Sequence, residues 1–171
     1  MDTGMSLSAA DYVEQLKLQP HPEGGFYSRT YESEEQIPAA ALPVRFGADR
    51  LISTAIYFLL EGTDYSAFHR IKSDELWHFY AGGGLQIYVI HPDGKGEILL
   101  LGNDLNNGYR FQQLVKAGCW FASKPANEQS FALVGCTVAP GFDFADFEMA
   151  KQEELLKIYP QYQHWIQQLC R

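Results

Sequence analysis

The chain has 171 residues, of which 46% are hydrophobic and 20% are charged, and its formal net charge at pH 7 is −8. This length suits one domain with a sizeable core. An acidic chain without a cluster of Lys or Arg argues against nucleic acid as a partner. The sequence shows no signal-peptide pattern and no apolar run of membrane-spanning length. Its three cysteines are few and lack metal-finger spacing, so we expect a cytoplasmic protein that does not associate with membranes.

The first element is an N-terminal helical segment, which we assign to residues 1–20. Residues 8–18 within it have the pattern of a short helix. Ser8 and Asp11 are spaced as in a capping box, and Pro20 ends the segment.

Residues 21–140 have the pattern of a β-structure. A Gly-rich turn at residues 21–25 opens it, because glycine adopts backbone angles closed to other residues. Residues 32–49 predict a long connection that lies over the surface or against a partner. Short, regularly spaced strands separated by Gly, Asn and Asp predict an antiparallel sandwich or barrel. The predicted strands span residues 26–31, 53–60, 67–71, 75–80, 85–90, 97–101, 109–115, 120–123 and 131–138.

Residues 141–171 predict a C-terminal helical segment. Leu155, Leu156 and Tyr159 share one side of its first helix, and Pro160 interrupts the helix before a second short one. No internal repeat and no change of composition divides the chain, so we expect residues 1–171 to form one domain.

Polar side chains suited to acid–base chemistry occur on two consecutive predicted strands. A turn at residues 72–74 predicts a hairpin that brings His69 and Glu75 together on a concave face, beside Trp77 and Phe79. Such partly apolar surroundings would raise the pKa of the carboxyl and make the pair an acid–base couple. The same two residues would also suit a buried structural pair.

The spacing of these residues resembles the first motif of the cupin superfamily. In that motif a Gly precedes an HxH sequence, which a Glu and a second Gly follow. Gly62, His69, Ile71, Glu75 and Gly82 match this frame, with Ile71 at the position of the second His.

Further sequence segments resemble an uncharacterised single-domain cupin family, the fifth cupin group of domain classifications. They lie at residues 21–25, 73–80 and 135–142 and span most of the chain. The resemblance implies a mainly β double-stranded β-helix, the cupin jelly roll, with short N- and C-terminal helices. It also implies a homodimer, to which the connection at residues 32–49 would contribute, and no settled activity.

The resemblance also bears on metal binding, because cupin metal sites use three His and one Glu. Residues 116–121 are similar to the second cupin motif, with Phe121 at the position of its His. Since neither Ile71 nor Phe121 can ligate a cation, we expect no metal and no other cofactor. A divalent metal at His69 and Glu75 is the alternative.

The leading hypothesis for function is a metal-independent isomerase or epimerase that transfers a proton on a small polar metabolite, such as a sugar derivative or a keto acid. Residues 68–70 are similar to the catalytic-His strand of the deoxysugar epimerases of the rhamnose pathway. By that analogy His69 removes a proton, Glu75 orients its imidazole and Tyr57 returns a proton.

Five further residues are predicted to bind the substrate. Arg29 would hold an anionic group, although a solvated or interface arginine is equally compatible with the sequence. Glu23 would pair with Arg29 or lie free in the turn. Trp77, Phe79 and Phe121 would form an aromatic platform or belong to the core. The alternatives to this enzyme are a non-enzymatic small-ligand binder and a metal-dependent cupin enzyme with a reduced ligand set.

Overall fold

The computed structural model describes residues 7–171, which form thirteen strands and three helices. The helices are α1 (Ala9–Gln15), α2 (Gln152–Ile158) and α3 (Gln163–Leu169). The strands are β1 (Gln19–Pro20), β2 (Phe26–Glu32), β3 (Gln36–Ile37), β4 (Arg50–Leu51), β5 (Thr54–Glu61), β6 (Ser66–Arg70), β7 (Asp74–Gly82), β8 (Leu85–Ile90), β9 (Gly96–Leu101), β10 (Gln112–Val115), β11 (Trp120–Pro125), β12 (Phe131–Ala139) and β13 (Glu148–Met149).

Two antiparallel sheets face each other. The larger has the order β1-β2-β5-β12-β7-β10 and the smaller has the order β13-β6-β11-β8-β9. β3 and β4 form a separate two-stranded ribbon. Strands that are neighbours in a sheet are mostly distant in sequence, as in a jelly roll. The mainly β jelly roll predicted from the sequence is therefore confirmed.

The main core fills the space between the sheets. Phe58 and Trp77 from the larger sheet pack edge to face, and Phe121 from the smaller sheet contacts the indole in the same way. Alternate side chains of each strand point into this space, because successive residues of a strand face opposite sides.

The helices cover the outer faces of the sheets. α1 packs beside Leu59 and Leu133 on the larger sheet, and its predicted capping box is present between Ser8 and Asp11. α2 and α3 pack with Phe68 on the smaller sheet. The predicted short terminal helices are thus confirmed. No helix within residues 7–171 is long and apolar enough to cross a bilayer.

The predicted hairpin around residues 72–74 is wrong. β6 belongs to the smaller sheet and β7 to the larger one, so the bend between them carries the chain across the interior. Both edges of β6 are already hydrogen-bonded, one to β11 and the other to β13, which leaves no edge for pairing with β7. His69 and Glu75 therefore approach each other from opposite sheets.

A buried ion pair fastens β4, which directly follows the predicted long connection, to the chain after β12. Arg50 donates from Nε and Nη2 to the two carboxylate oxygens of Asp146 at 2.6 and 2.7 Å. Its remaining donors bind the carbonyls of Phe46 and Asp49. Burial acts to raise the pKa of Asp146, but hydrogen bonds from Arg50 and Lys72 hold it below its ordinary value. Because the pair is bidentate and the guanidinium also binds two carbonyls, it holds β4 and the segment after β12 in fixed positions.

We expect Asp146→Asn to destabilise the fold strongly, because it leaves the Arg50 guanidinium buried without a carboxylate. Losing one partner of a buried pair costs about 3–5 kcal/mol of unfolding free energy. Glu148→Gln is the matched control, since it breaks an exposed pair with Arg70, also at 2.7 Å, and such pairs contribute at most about 1 kcal/mol. Urea unfolding of both variants measures the difference. Equal losses would contradict the assignment of Asp146 as an anchor.

Candidate active site

A cavity of about 130 Å³ opens between the two sheets. Its deep end is formed by buried polar residues, and Arg29 and Phe144 are exposed near its mouth. The residues that line it are Gln19, His21, Glu23, Tyr27, Arg29, Thr54, Ile56, His69, Ile71, Glu75, Cys136, Val138, Phe142 and Phe144.

Strand register brings most of these side chains to one wall. Arg29 on β2 lies opposite Ile56 on β5, which lies opposite Cys136 on β12. Two residues further along β12, Val138 lies opposite Glu75 on β7. Because side chains alternate along each strand, this set faces the interior together. The smaller sheet contributes His69 from the other side.

The turn at residues 21–25 places Glu23 in the cavity. Gly24 has φ +113°, and a Cβ there would lie 2.1 Å from the carbonyl oxygen of Tyr65, so only glycine fits. The turn can therefore lie flat against the start of β6. Its backbone is fixed by a hydrogen bond from the Gly25 N–H to Asp64.

His69 is hydrogen-bonded at both ring nitrogens. Nδ1 lies 2.7 Å from the carbonyl oxygen of Ala67, and Nε2 lies 3.0 Å from Oε2 of Glu23. A carbonyl can only accept, so Nδ1 carries a proton. The contact between Nε2 and Glu23 then requires one further proton, held by either partner. The ring itself lies between Phe121 and Phe147, with centroids at 4.1 and 5.2 Å.

Burial decides where that proton resides. Removal from water lowers the pKa of His69 and raises the pKa of Glu23, although the Ala67 carbonyl acts against the first change and His21 and the Ser66 hydroxyl against the second. Both changes favour a neutral pair, in which Glu23 donates its proton to Nε2. The Ser66 hydroxyl donates to the other oxygen of Glu23 at 2.9 Å.

Glu75 is the second carboxyl of the cavity and has no Lys or Arg partner among the described residues. Burial raises its pKa to about 7, and the hydrogen bond with the Cys136 thiol acts to lower it. Burial and the neighbouring carboxyls raise the pKa of Cys136 well above its ordinary value, so the thiol stays protonated. Glu75 thus exchanges a proton near neutral pH, as a general base should.

His21 offers a donor to the same space. Its Nδ1 accepts a hydrogen bond from the Glu23 N–H at 3.2 Å, and burial lowers its pKa. The neutral ring therefore carries its proton on Nε2. Tyr27 packs against the ring with centroids 4.6 Å apart and holds its orientation.

The structure brings four of the predicted site residues together at the cavity: Glu23, Arg29, His69 and Glu75. Their pairing differs from the sequence prediction. Glu23, rather than Glu75, is hydrogen-bonded to His69, and Arg29 pairs with Glu32 at 2.9 Å rather than with Glu23. The chain crossing between β6 and β7 explains the first difference, because it sets Glu75 on the opposite sheet.

The other four predicted residues do not line the cavity. Tyr57 lies on the outer face of the larger sheet against Tyr80, because its neighbour Ile56 takes the inward position. Trp77 and Phe121 are almost fully buried in the core, and Phe79 packs against it. The prediction of an aromatic platform is therefore wrong, and these side chains belong to the core that surrounds the cavity.

Three important cavity residues were not predicted. The sequence pattern places His21 in the turn alone, although the residue is part of the Gly-rich segment that resembles the cupin family. Cys136 alternates with Val138 on a predicted strand, which would have indicated a shared inward face. Phe142 follows the last strand, where no periodic pattern indicates the direction of a side chain.

The cavity residues do not fit the metal set of the cupin superfamily. Ile71 and Phe121 supply no donor atom, and both ring nitrogens of His69 have partners within the protein. Within residues 7–171, no three His, Cys, Asp or Glu side chains form a group that could hold a metal ion. Independence from cofactors stays a prediction.

Comparisons with known proteins agree with this architecture. Residues 10–150 match the family model described as Cupin superfamily (DUF985). An uncharacterised protein of Saccharomyces cerevisiae is 30% identical over 160 residues, which are 88% of this chain and 79% of that protein.

Solved structures extend the comparison to the fold. A protein of Shewanella oneidensis is 43% identical with a TM-score of 0.87, covering 97% of this chain and 99% of its own. A hypothetical protein from Leishmania major is 34% identical with the same TM-score, covering 96% and 99%. Oxalate decarboxylase of Bacillus subtilis aligns at 13% identity and a TM-score of 0.53, over 99% of this chain and 40% of its own. At that identity the likeness shows a shared fold alone.

The raised pKa of Glu75 makes stability depend on pH. The folded protein keeps a proton that the unfolded chain releases between the ordinary pKa of 4.5 and about 7, so stability falls as pH rises through this window. Glu75→Gln removes the effect. We expect the unfolding free energy of the variant, relative to wild type, to rise by roughly 2.5 kcal/mol between about pH 5 and about pH 8.

Urea unfolding at both pH values measures this change. Glu153→Gln, at an exposed position, is the control, and because it keeps Glu75 its unfolding free energy should change with pH as that of wild type does. A difference between Glu75→Gln and wild type that stays constant with pH would mean that Glu75 ionises normally.

Proposed function

The chain belongs to the DUF985 family of the cupin superfamily, and we propose that it is a metal-independent enzyme of the isomerase or epimerase type. Its reaction would be proton transfer at a carbon next to a carbonyl group in a small polar metabolite. One observation carries the proposal: the Glu75 carboxyl, which has no cationic side chain as partner among the described residues, shares a cavity with a buried Glu23–His69 pair that holds one proton between two atoms.

Glu75 is the best-suited general base in this arrangement. In its ionised form it takes a proton from the substrate carbon, and the electron pair of the broken C–H bond forms an enolate. His69 suits this step poorly, because Ala67 and Glu23 occupy its nitrogens. This assignment exchanges the roles expected from the epimerase analogy, with geometry as the reason.

The remaining polar groups can stabilise the enolate and supply the proton that converts it back to a carbonyl compound. His21 Nε2–H can donate a hydrogen bond to the enolate oxygen, where negative charge develops. A proton then returns to carbon either from Glu75 or, from the turn at residues 21–25, from Glu23. In the second case Glu75 keeps the abstracted proton until water removes it, and water reprotonates Glu23.

The size of the cavity limits the substrate. A cavity of about 150 Å³ admits benzene, and this one measures about 130 Å³. A molecule of about six non-hydrogen atoms is the best match for the enclosed part. A keto acid of this size fits better than a complete sugar ring, and a nucleotide would have to extend outside.

Homodimerisation also remains a prediction. The connection at residues 32–49 is the predicted contact with a second copy, and Val44 within it is 99% exposed, so a charge at this position tests that prediction. Sedimentation velocity at micromolar concentration should give a dimer, and Val44→Glu should shift it towards monomer. A monomeric wild type would contradict the prediction.

Deuterium exchange tests the proposed activity. Wild-type protein is incubated in heavy water with 2-oxo acids and small aldoses and ketoses, and NMR follows loss of the C–H signal beside the carbonyl. We expect exchange that becomes faster as pH rises through about 7, where Glu75 ionises. Glu75→Gln should slow it by roughly a hundredfold or more, and Glu153→Gln should leave it unchanged.

Two outcomes would count against an enzyme. If compounds that bind the wild type show no exchange, the cavity belongs to a non-enzymatic ligand binder. If exchange persists in Glu75→Gln, another group is the base.

A further inference from the structure

We propose that Arg29 is the anchor for a carboxylate, and that the ligands of this cavity are small monocarboxylic acids that carry a carbonyl group. This inference rests on the proposed function, since it names the substrate class of the same site. Its basis is the distribution of charge along the cavity, together with the pairing of Arg29.

The two ends of the cavity differ in charge. Glu23 and Glu75 lie at the deep end and are 6% and 8% exposed. An anionic group placed between them would be repelled by the ionised form of Glu75 and would lose its hydration. Arg29 is the one Lys or Arg among the described residues that line the cavity, and it lies near the mouth. A ligand with one carboxylate therefore fits in one orientation, with its carboxylate at the mouth and its carbonyl end inside.

The pairing of Arg29 leaves it available for a ligand. Its Nη1 donates to Glu32 at 2.9 Å, and the two side chains are 39% and 60% exposed. A guanidinium has five N–H donors, so the remaining ones can bind a carboxylate through two parallel hydrogen bonds. An exposed pair of this kind contributes at most about 1 kcal/mol, so a ligand can displace Glu32 at little cost. Glu32 thus acts as a weak internal competitor.

A monocarboxylate fits better than a phosphate. One half-exposed Arg balances a single charge, whereas a phosphate monoester carries up to two negative charges near neutral pH and benefits from several donors. The chain as a whole is acidic, with a net charge of −8, so no long-range field would assist a dianion. Ile56 and Val138 give the wall between the two ends an apolar surface, which suits a short aliphatic chain.

Calorimetry with pyruvate and 2-oxobutyrate tests the anchor, with methyl pyruvate and inorganic phosphate as comparison probes. We expect wild type to bind the two acids more tightly than the ester or phosphate. Arg29→Gln should weaken acid binding roughly tenfold or more, since hydrogen bonds to charged groups are involved. Glu32→Gln should tighten it about twofold to fivefold, because the competitor is removed.

Arg70→Gln and Glu148→Gln are matched controls. They alter another exposed Arg–Glu pair, 42% and 55% exposed, whose residues do not line this cavity. Neither variant should change the affinity for the acids. If neither acid binds wild type, or if wild type and Arg29→Gln bind the acids equally, Arg29 does not hold the carboxylate and the proposal is wrong. Tighter binding of phosphate than of the acids would overturn the choice of ligand class.

Binding and turnover can fail separately. Acid binding that depends on Arg29, without deuterium exchange, would support the anchor and contradict the proposed enzyme. Exchange on neutral carbonyl compounds that is unaffected by Arg29→Gln would support the enzyme and contradict the anchor.

Discussion

The contact between Glu23 and His69 is the constraint on which the site depends. It joins the Gly-rich turn to β6 through a single proton, 3.0 Å from atom to atom, in surroundings from which water is almost excluded. Separate charges would be costly there, and a proton placed between the partners lets both remain neutral. The pair therefore holds the turn against β6 and also binds one proton. Because this proton is held within the pair, Glu75 is the group that can gain or lose a proton at neutral pH.

The jelly roll makes this contact possible by folding distant segments onto one space. The Gly-rich turn lies between β1 and β2 of the larger sheet, and the crossing between β6 and β7 sets His69 and Glu75 on facing sheets. The Arg50–Asp146 pair fixes the segment that follows β12, which includes Phe142 at the cavity and Phe147 against the imidazole. Stability of the fold and geometry of the site thus share the same anchor.

The sequence predicted the fold class, most strands and the importance of His69 and Glu75, because alternation and turn residues are local signals. It could not predict how the two residues meet. A tight bend between two strands has the same local pattern whether it closes a hairpin or carries the chain to another sheet. The partnership of Glu23 with His69 joins residues 46 positions apart, and no periodic pattern encodes such a contact. The prediction for Tyr57 was wrong for a simpler reason. On β5 the side chain of Ile56 points into the cavity, so the adjacent Tyr57 points outward.

The protonation state of His69 is the most direct test of the neutral Glu23–His69 pair. Nitrogen NMR of ¹⁵N-histidine-labelled protein, with the His69 signal assigned by its absence in His69→Asn, reports which ring nitrogens carry protons. At about pH 6, below the ordinary pKa of histidine, we expect a neutral ring protonated at Nδ1 only. A doubly protonated ring, or a neutral ring with its proton on Nε2, would contradict the neutral Glu23–His69 pair and the role of Glu75 that follows from it.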